Sequence, residues 1–61
     1  MTIYDFTSYI MDGTKIEIYD FGTGESVFEG YADEIPEEYE LRTLASVETL
    51  GSVLILNIEE D

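Results

Sequence analysis

Thr14 to Ala32 reads TKIEIYDFGTGESVFEGYA. From Thr14 to Asp20 apolar and polar residues alternate. Ile16 and Ile18 point one way and Lys15, Glu17 and Tyr19 the other, which is the period of a half-buried strand. Gly22-Thr23-Gly24 forms the turn, because glycine accepts the positive φ that hairpin loops require. Ser26 to Ala32 is the returning strand, with Phe28 on the core face. Gly30 in mid-strand marks either a bulge or a close approach by a helix. This stretch therefore predicts a β-hairpin.

The flanking segments complete the pattern. Upstream, Thr2 to Asp12 is expected to be a short helix. Thr2 caps it, Asp5 stands three residues on, and Ile3, Phe6 and Ile10 form an apolar stripe. Gly13 stands where a left-handed C-terminal cap is wanted. Downstream, Asp33 is expected to cap a second helix over Glu34 to Glu40, with Pro36 in its first turn and Ile35, Tyr39 and Leu41 facing inward. Thr43 to Thr49 and Ser52 to Ile58 form a second hairpin about Gly51. In it, Ala45 and Val47 alternate with Ser46 and Glu48, and Leu54, Leu56 and Ile58 with Val53, Ile55 and Asn57. Glu59-Glu60-Asp61 is expected to fray. The order helix, hairpin, short helix, hairpin predicts an α+β fold. Its simplest form is a four-stranded antiparallel sheet with both helices on one face. Residues 1–61 make one domain, with little volume for an enclosed cleft.

Charge narrows the function. Two cations, Lys15 and Arg42, stand against 15 carboxylates, for a net charge of −13. Such a field opposes direct binding to nucleic acid or to an anionic membrane and favours a basic protein surface as partner. The chain is nonetheless 44% hydrophobic and 13% aromatic, richer in both than disordered acidic tails. No apolar run approaches a membrane span, the longest being Val53 to Leu56, and the first residues lack the basic and apolar segments of a signal peptide. With no cysteine to form disulfide staples, the expected compartment is the cytoplasm.

Catalytic readings are weak. There is no histidine and no cysteine, so the commonest general base, the thiolate nucleophile and the usual transition-metal ligands are missing. Asp20 to Glu25 lacks the alternating acidic ligands of a calcium loop, and a solvated turn accounts for it. Gly22-Thr23-Gly24 joins two strands instead of leading into a helix, so it does not fit a phosphate-binding loop. Lys15 and Arg42 read as surface ion-pair partners. No enzyme activity, cofactor or metal is expected.

Two binding modes remain. In the first, the protein mimics nucleic acid, with Glu17 and Glu29 on the first hairpin and Glu34, Glu37, Glu38 and Glu40 on the second helix presenting carboxylates to a basic groove. Acids two apart on a strand would stand about 7 Å apart, near the phosphate spacing. In the second, Tyr19 and Tyr31 face away from the helices together with Val53 and Ile55. Rimmed by Glu17, Glu29 and Glu48, they would form a generic interaction surface or a homodimer face. Ordinary scattered surface apolars are the plain alternative.

The stretch from Ile16 to Tyr39, IEIYDFGTGESVFEGYADEIPEEY, resembles small acidic proteins encoded by phages and mobile elements of Gram-positive bacteria. Its shared features are mainly turn and cap signals, and it transfers no site residues. Some small acidic phage proteins inhibit host nucleases, including anti-CRISPR and anti-restriction proteins. The resemblance thus implies an inhibitor of a DNA-binding enzyme, such as an RNA-guided nuclease, acting on its duplex-reading site.

Overall fold

The computed structural model describes residues 1–59. Its elements are α1 (Ile3–Thr7), β1 (Lys15–Asp20), β2 (Ser26–Tyr31), a 3₁₀ turn (Ala32–Glu34), α2 (Glu37–Glu40), β3 (Leu44–Leu50) and β4 (Val53–Ile58). The expected fraying at Glu60 and Asp61 lies outside the described residues, whereas the Glu59 amide is fixed by donating to the Thr43 carbonyl (2.9 Å).

The fold is a small α+β domain with a four-stranded sheet in the order β2-β1-β4-β3. Both hairpins form, yet the sheet is mixed: the central β1–β4 pair is parallel, with Ile16 beside Leu54 and Ile18 beside Leu56. The all-antiparallel expectation is therefore corrected. Residues 32–43 link β2 at one edge to β3 at the other. A dozen residues are enough for a crossover that returns along the sheet, and that is what brings β1 and β4 together in parallel. These two strands hold the buried sheet residues Ile16, Ile18, Ile55, Leu56 and Ile58 and so gain most from a neighbour on each side.

The core lies between one face of this sheet and the helical segments. Ile16 and Ile18 of β1 and Leu56 and Ile58 of β4 are fully buried, and Ile3 of α1 and Ile35 close over them. Phe6, Ile10, Phe28, Tyr39, Leu44 and Leu54 pack around this cluster. The apolar stripe expected upstream is thus present, although the helix beneath it is shorter than expected.

That shortening has local causes. The α1 cap forms as expected: the Asp5 amide donates to Thr2 Oγ1 (3.1 Å) and the Thr2 amide donates to Asp5 Oδ2 (3.0 Å). The second of these bonds, followed by the bond with the Thr2 side chain, lowers the Asp5 pKa below its ordinary 3.8. The helix then stops at Thr7, well before Asp12. Thr7 and Ser8 turn their hydroxyls back onto the carbonyls of Tyr4 and Asp5, a competition that weakens helix interiors. Gly13 has no positive φ, which removes the expected left-handed cap.

The second helix is split. Pro36 disfavours helical backbone in the residue before it, and Ile35 is extended (φ −64°, ψ 126°). A 3₁₀ turn therefore precedes Ile35 and α2 starts only at Glu37, with Pro36 as its N-cap residue. Leu41 is 76% exposed, against the inward position expected of it.

Both hairpins carry irregularities. In β2 the extra residue is Val27, since Ile18 faces Phe28 while Tyr19 faces Ser26. Gly30 marks a close approach, but the neighbour is the Phe28 ring and not a helix: a Cβ at Gly30 would lie 2.9 Å from the ring's Cζ. In β3 the extra residue is Ala45, which breaks the expected Ala45–Val47 alternation.

The β3–β4 turn is a two-residue loop at Gly51-Ser52, closed by Leu50 and Val53. Gly51 has φ +63°, as the first position of a type II′ turn requires. Replacing Gly51 with Ala should cost about 1 kcal/mol and lower Tm by roughly 4–8 °C. Gly13→Ala, with open space around it and no positive φ, should be neutral or slightly stabilising. Thermal melts of the two variants test this assignment, and equal losses would contradict it.

Candidate functional site

The face of the sheet turned away from the core carries no helix among the described residues. Strand alternation and register arrange its side chains in three rows across β2-β1-β4-β3. Glu29, Glu17, Ile55 and Glu48 form the middle row, because Glu17 pairs with both Glu29 and Ile55, and Ile55 pairs with Glu48. On one side lie Ser26, Tyr19, Asn57 and Ser46, linked by the same pairings. On the other lie Tyr31 opposite Lys15, and Val53 opposite Leu50.

The middle row concentrates charge. Strands lie about 4.8 Å apart, so Glu17 and Glu29 stand about 5 Å from each other and Glu48 about 10 Å beyond Glu17. Among the described residues no strand puts two acids two residues apart on this face, so the expected along-strand spacing of about 7 Å does not occur there. The acidic repeat runs across the strands instead. Glu17 Oε2 accepts from Ser26 Oγ (2.9 Å), which fixes its carboxylate over the first hairpin. Asn57 Nδ2 donates to Ser46 Oγ (3.0 Å) and reaches Glu48 Oε2 at 3.5 Å.

Tyr19 sits among these acids. Its pKa is raised above the ordinary 10.0, chiefly by the Glu17 carboxylate, with partial burial and the Glu29 charge adding to it. A raised pKa means that the folded chain holds this proton more tightly than the unfolded chain. The stabilisation is complete below pH 10 and disappears as pH rises through the raised pKa. Replacing Glu17 with Gln should move the Tyr19 titration back toward the ordinary value, as read from tyrosinate absorbance at alkaline pH. An unchanged titration would remove Glu17 as the cause.

Beside Tyr19 lies a shallow depression of about 370 Å³, lined by Tyr19, Glu48, Thr49, Leu50, Ile55 and Asn57. Ile55 lines it and is only 8% exposed, although none of the described helices covers it. A second shallow depression of about 240 Å³ lies on the helical side, between residues such as Tyr4, Asp12, Asp33 and Glu40. Among the described residues no cluster of acids is arranged to hold a metal ion, and no helix is long and apolar enough to cross a membrane.

The sequence candidates thus divide. Glu17, Tyr19, Glu29 and Tyr31 share the uncovered face with Glu48, Val53 and Ile55, and Tyr31 is 48% exposed there. Glu37, Glu38 and Glu40 lie on α2, on the opposite side of the sheet, where Tyr39 packs against the core. Glu34 Oε1 accepts from the Tyr31 amide (3.3 Å), a local structural bond. The eight residues do not form one surface. Ser46, Thr49, Leu50 and Asn57 were not among the candidates, because only the strand order sets them beside Tyr19. No protein-family model matches the chain, and no match to it was found among curated proteins or among solved structures.

Proposed function

We propose that this protein acts by binding and not by catalysis: it is an acidic inhibitor that mimics nucleic acid and occupies the basic nucleic-acid-binding surface of another protein, such as a CRISPR nuclease of a bacterial host. The observation that carries the reading is the row Glu29, Glu17 and Glu48 on an uncovered sheet face of a chain with net charge −13. A sheet face with carboxylates in one row offers a basic groove several charges at once, and together these steer association and set its salt dependence. The helix-side acids Glu34, Glu37, Glu38 and Glu40 add to the long-range field.

The test is capture of nucleic-acid enzymes from a bacterial lysate on the immobilised protein, eluted with rising salt and with competing DNA. Release at moderate salt and displacement by DNA are expected. Changing Glu17, Glu29 and Glu48 together to Gln should abolish capture, whereas Glu37→Gln with Glu38→Gln should only weaken it. A captured partner that DNA does not displace would contradict mimicry.

A second reading rests on the apolar part of the same face. Leu50, 72% exposed, lines the Ile55 depression together with Tyr19, and Tyr31, 48% exposed, lies on the same face at the β2 edge. A generic interaction module or homodimer using Tyr19 and Tyr31 would persist through high salt, since apolar burial is not screened.

A further inference from the structure

Charge is distributed unevenly along this chain. From Thr43 to Ile58 the only charged residue is Glu48, so β3 and β4 are nearly neutral inside a strongly anionic protein. β3 is also an edge strand. Its first residues are covered on the outer side by the N-terminal segment: Leu44 donates to the Met1 carbonyl (2.8 Å), Ile3 donates to the Arg42 carbonyl (3.0 Å), and Thr2 bridges to Thr43. From Ala45 to Leu50 every residue is exposed, and among the described residues the sheet has no further strand on that side. The outward backbone groups of this stretch are a template for another strand.

The turn fixes which groups point outward. Leu50 and Val53 close a two-residue hairpin and exchange the narrow pair of hydrogen bonds, so by alternation Glu48 and Ser46 also bond toward β4. Val47 and Thr49 then present their N–H and C=O groups to the outside.

We infer that β3 pairs with β3 of a second copy of this chain, antiparallel about a two-fold axis at Val47, joining two sheets into one. In this register the two Val47 residues exchange backbone hydrogen bonds. Ser46 of each copy faces Glu48 of the other, where its hydroxyl can donate to the carboxylate. Moving the axis by one residue, to Glu48, would set the two Glu48 carboxylates directly opposite each other, which is destabilising in a cross-strand pair. Glu48 therefore selects the register. The bulge at Ala45 and the N-terminal segment limit the free edge to a short ladder. The far edge, β2, carries Glu29, so the assembly closes at two copies. This inference rests on the β3 edge and stands apart from the mimicry reading.

Sedimentation of the full chain over a range of concentrations and salt tests it. A dimer is expected that tightens as salt rises, because two chains of charge −13 repel each other. That sign is opposite to the salt response expected for binding a basic partner. Ser46→Glu creates two like-charge pairs across the axis and should weaken the dimer about tenfold. Ser46→Lys should tighten it. Val47→Pro removes an outward N–H without touching the β4 ladder and should leave a folded monomer, with folding checked by circular dichroism. A chain that stays monomeric at millimolar concentration in half-molar salt would overturn the inference. So would a dimer indifferent to both Ser46 variants.

Discussion

Leu56→Ala should leave a chain that is at most marginally folded at room temperature. Leu56 is fully buried in β4, between Ile18 on one neighbouring strand and Val47 on the other. It belongs to the cluster formed by Ile3, Ile16, Ile18, Ile35 and Ile58. Truncating a buried leucine to alanine costs about 2–5 kcal/mol, from lost transfer energy and the cavity left behind. A domain of this length has a total stability of roughly 3–9 kcal/mol. The described residues form a single core cluster, so nothing compensates, and the mid-range loss removes about half of the stability. Urea denaturation followed by far-ultraviolet circular dichroism measures the loss. Val53→Ala, at a half-buried position on the other face of the same strand, serves as the control and should cost less. A Leu56→Ala midpoint close to that of Val53→Ala would mean that the core described above does not carry the fold.

The second large effect concerns salt. Fifteen carboxylates and two cations repel one another when the chain is compact, and Glu17 directly faces Glu29 across the first hairpin. Like charges in that position destabilise a strand pair by roughly 0.2–1 kcal/mol, and the remaining acids add a diffuse term. Raising ionic strength screens both. Relief of about 1 kcal/mol corresponds to a Tm increase of about 4–8 °C in a domain of this size. Scanning calorimetry between low and physiological salt should show that increase. Glu29→Gln should capture part of it at low salt and shrink the remaining response. A Tm that falls steadily with salt would show that repulsion does not limit stability here.

The strands were legible because alternation is a direct record of which side chains face the core. Ile16 and Ile18, and Leu54, Leu56 and Ile58, occupy the face the sequence assigns to them. The turns at Gly24 and Gly51 were legible because each needs a positive φ. The helix lengths were not legible. Ile10 packs on the core beyond the end of α1, so an apolar stripe at helical spacing does not require a continuous helix. Pro36 was read as a helix-starting residue, but its restriction of Ile35 proved the stronger effect. At the candidate site, the common face of Glu17, Tyr19 and Glu48 follows from strand periodicity. Their row does not, because it depends on β1 lying beside β4, and nothing local in either hairpin specifies that neighbour.

The central parallel pair also governs the order of assembly during synthesis. Ile16 and Leu54 touch, though more than half the chain separates them. Each hairpin can close locally within microseconds, but neither contains a complete core. As the chain leaves the ribosome, the first hairpin must wait with the apolar edge of β1 uncovered until the last strand emerges. In that interval the acid-rich leading segment keeps neighbouring nascent chains apart by repulsion. The charge expected to weaken the finished domain is thus also expected to protect its unfinished form from aggregation.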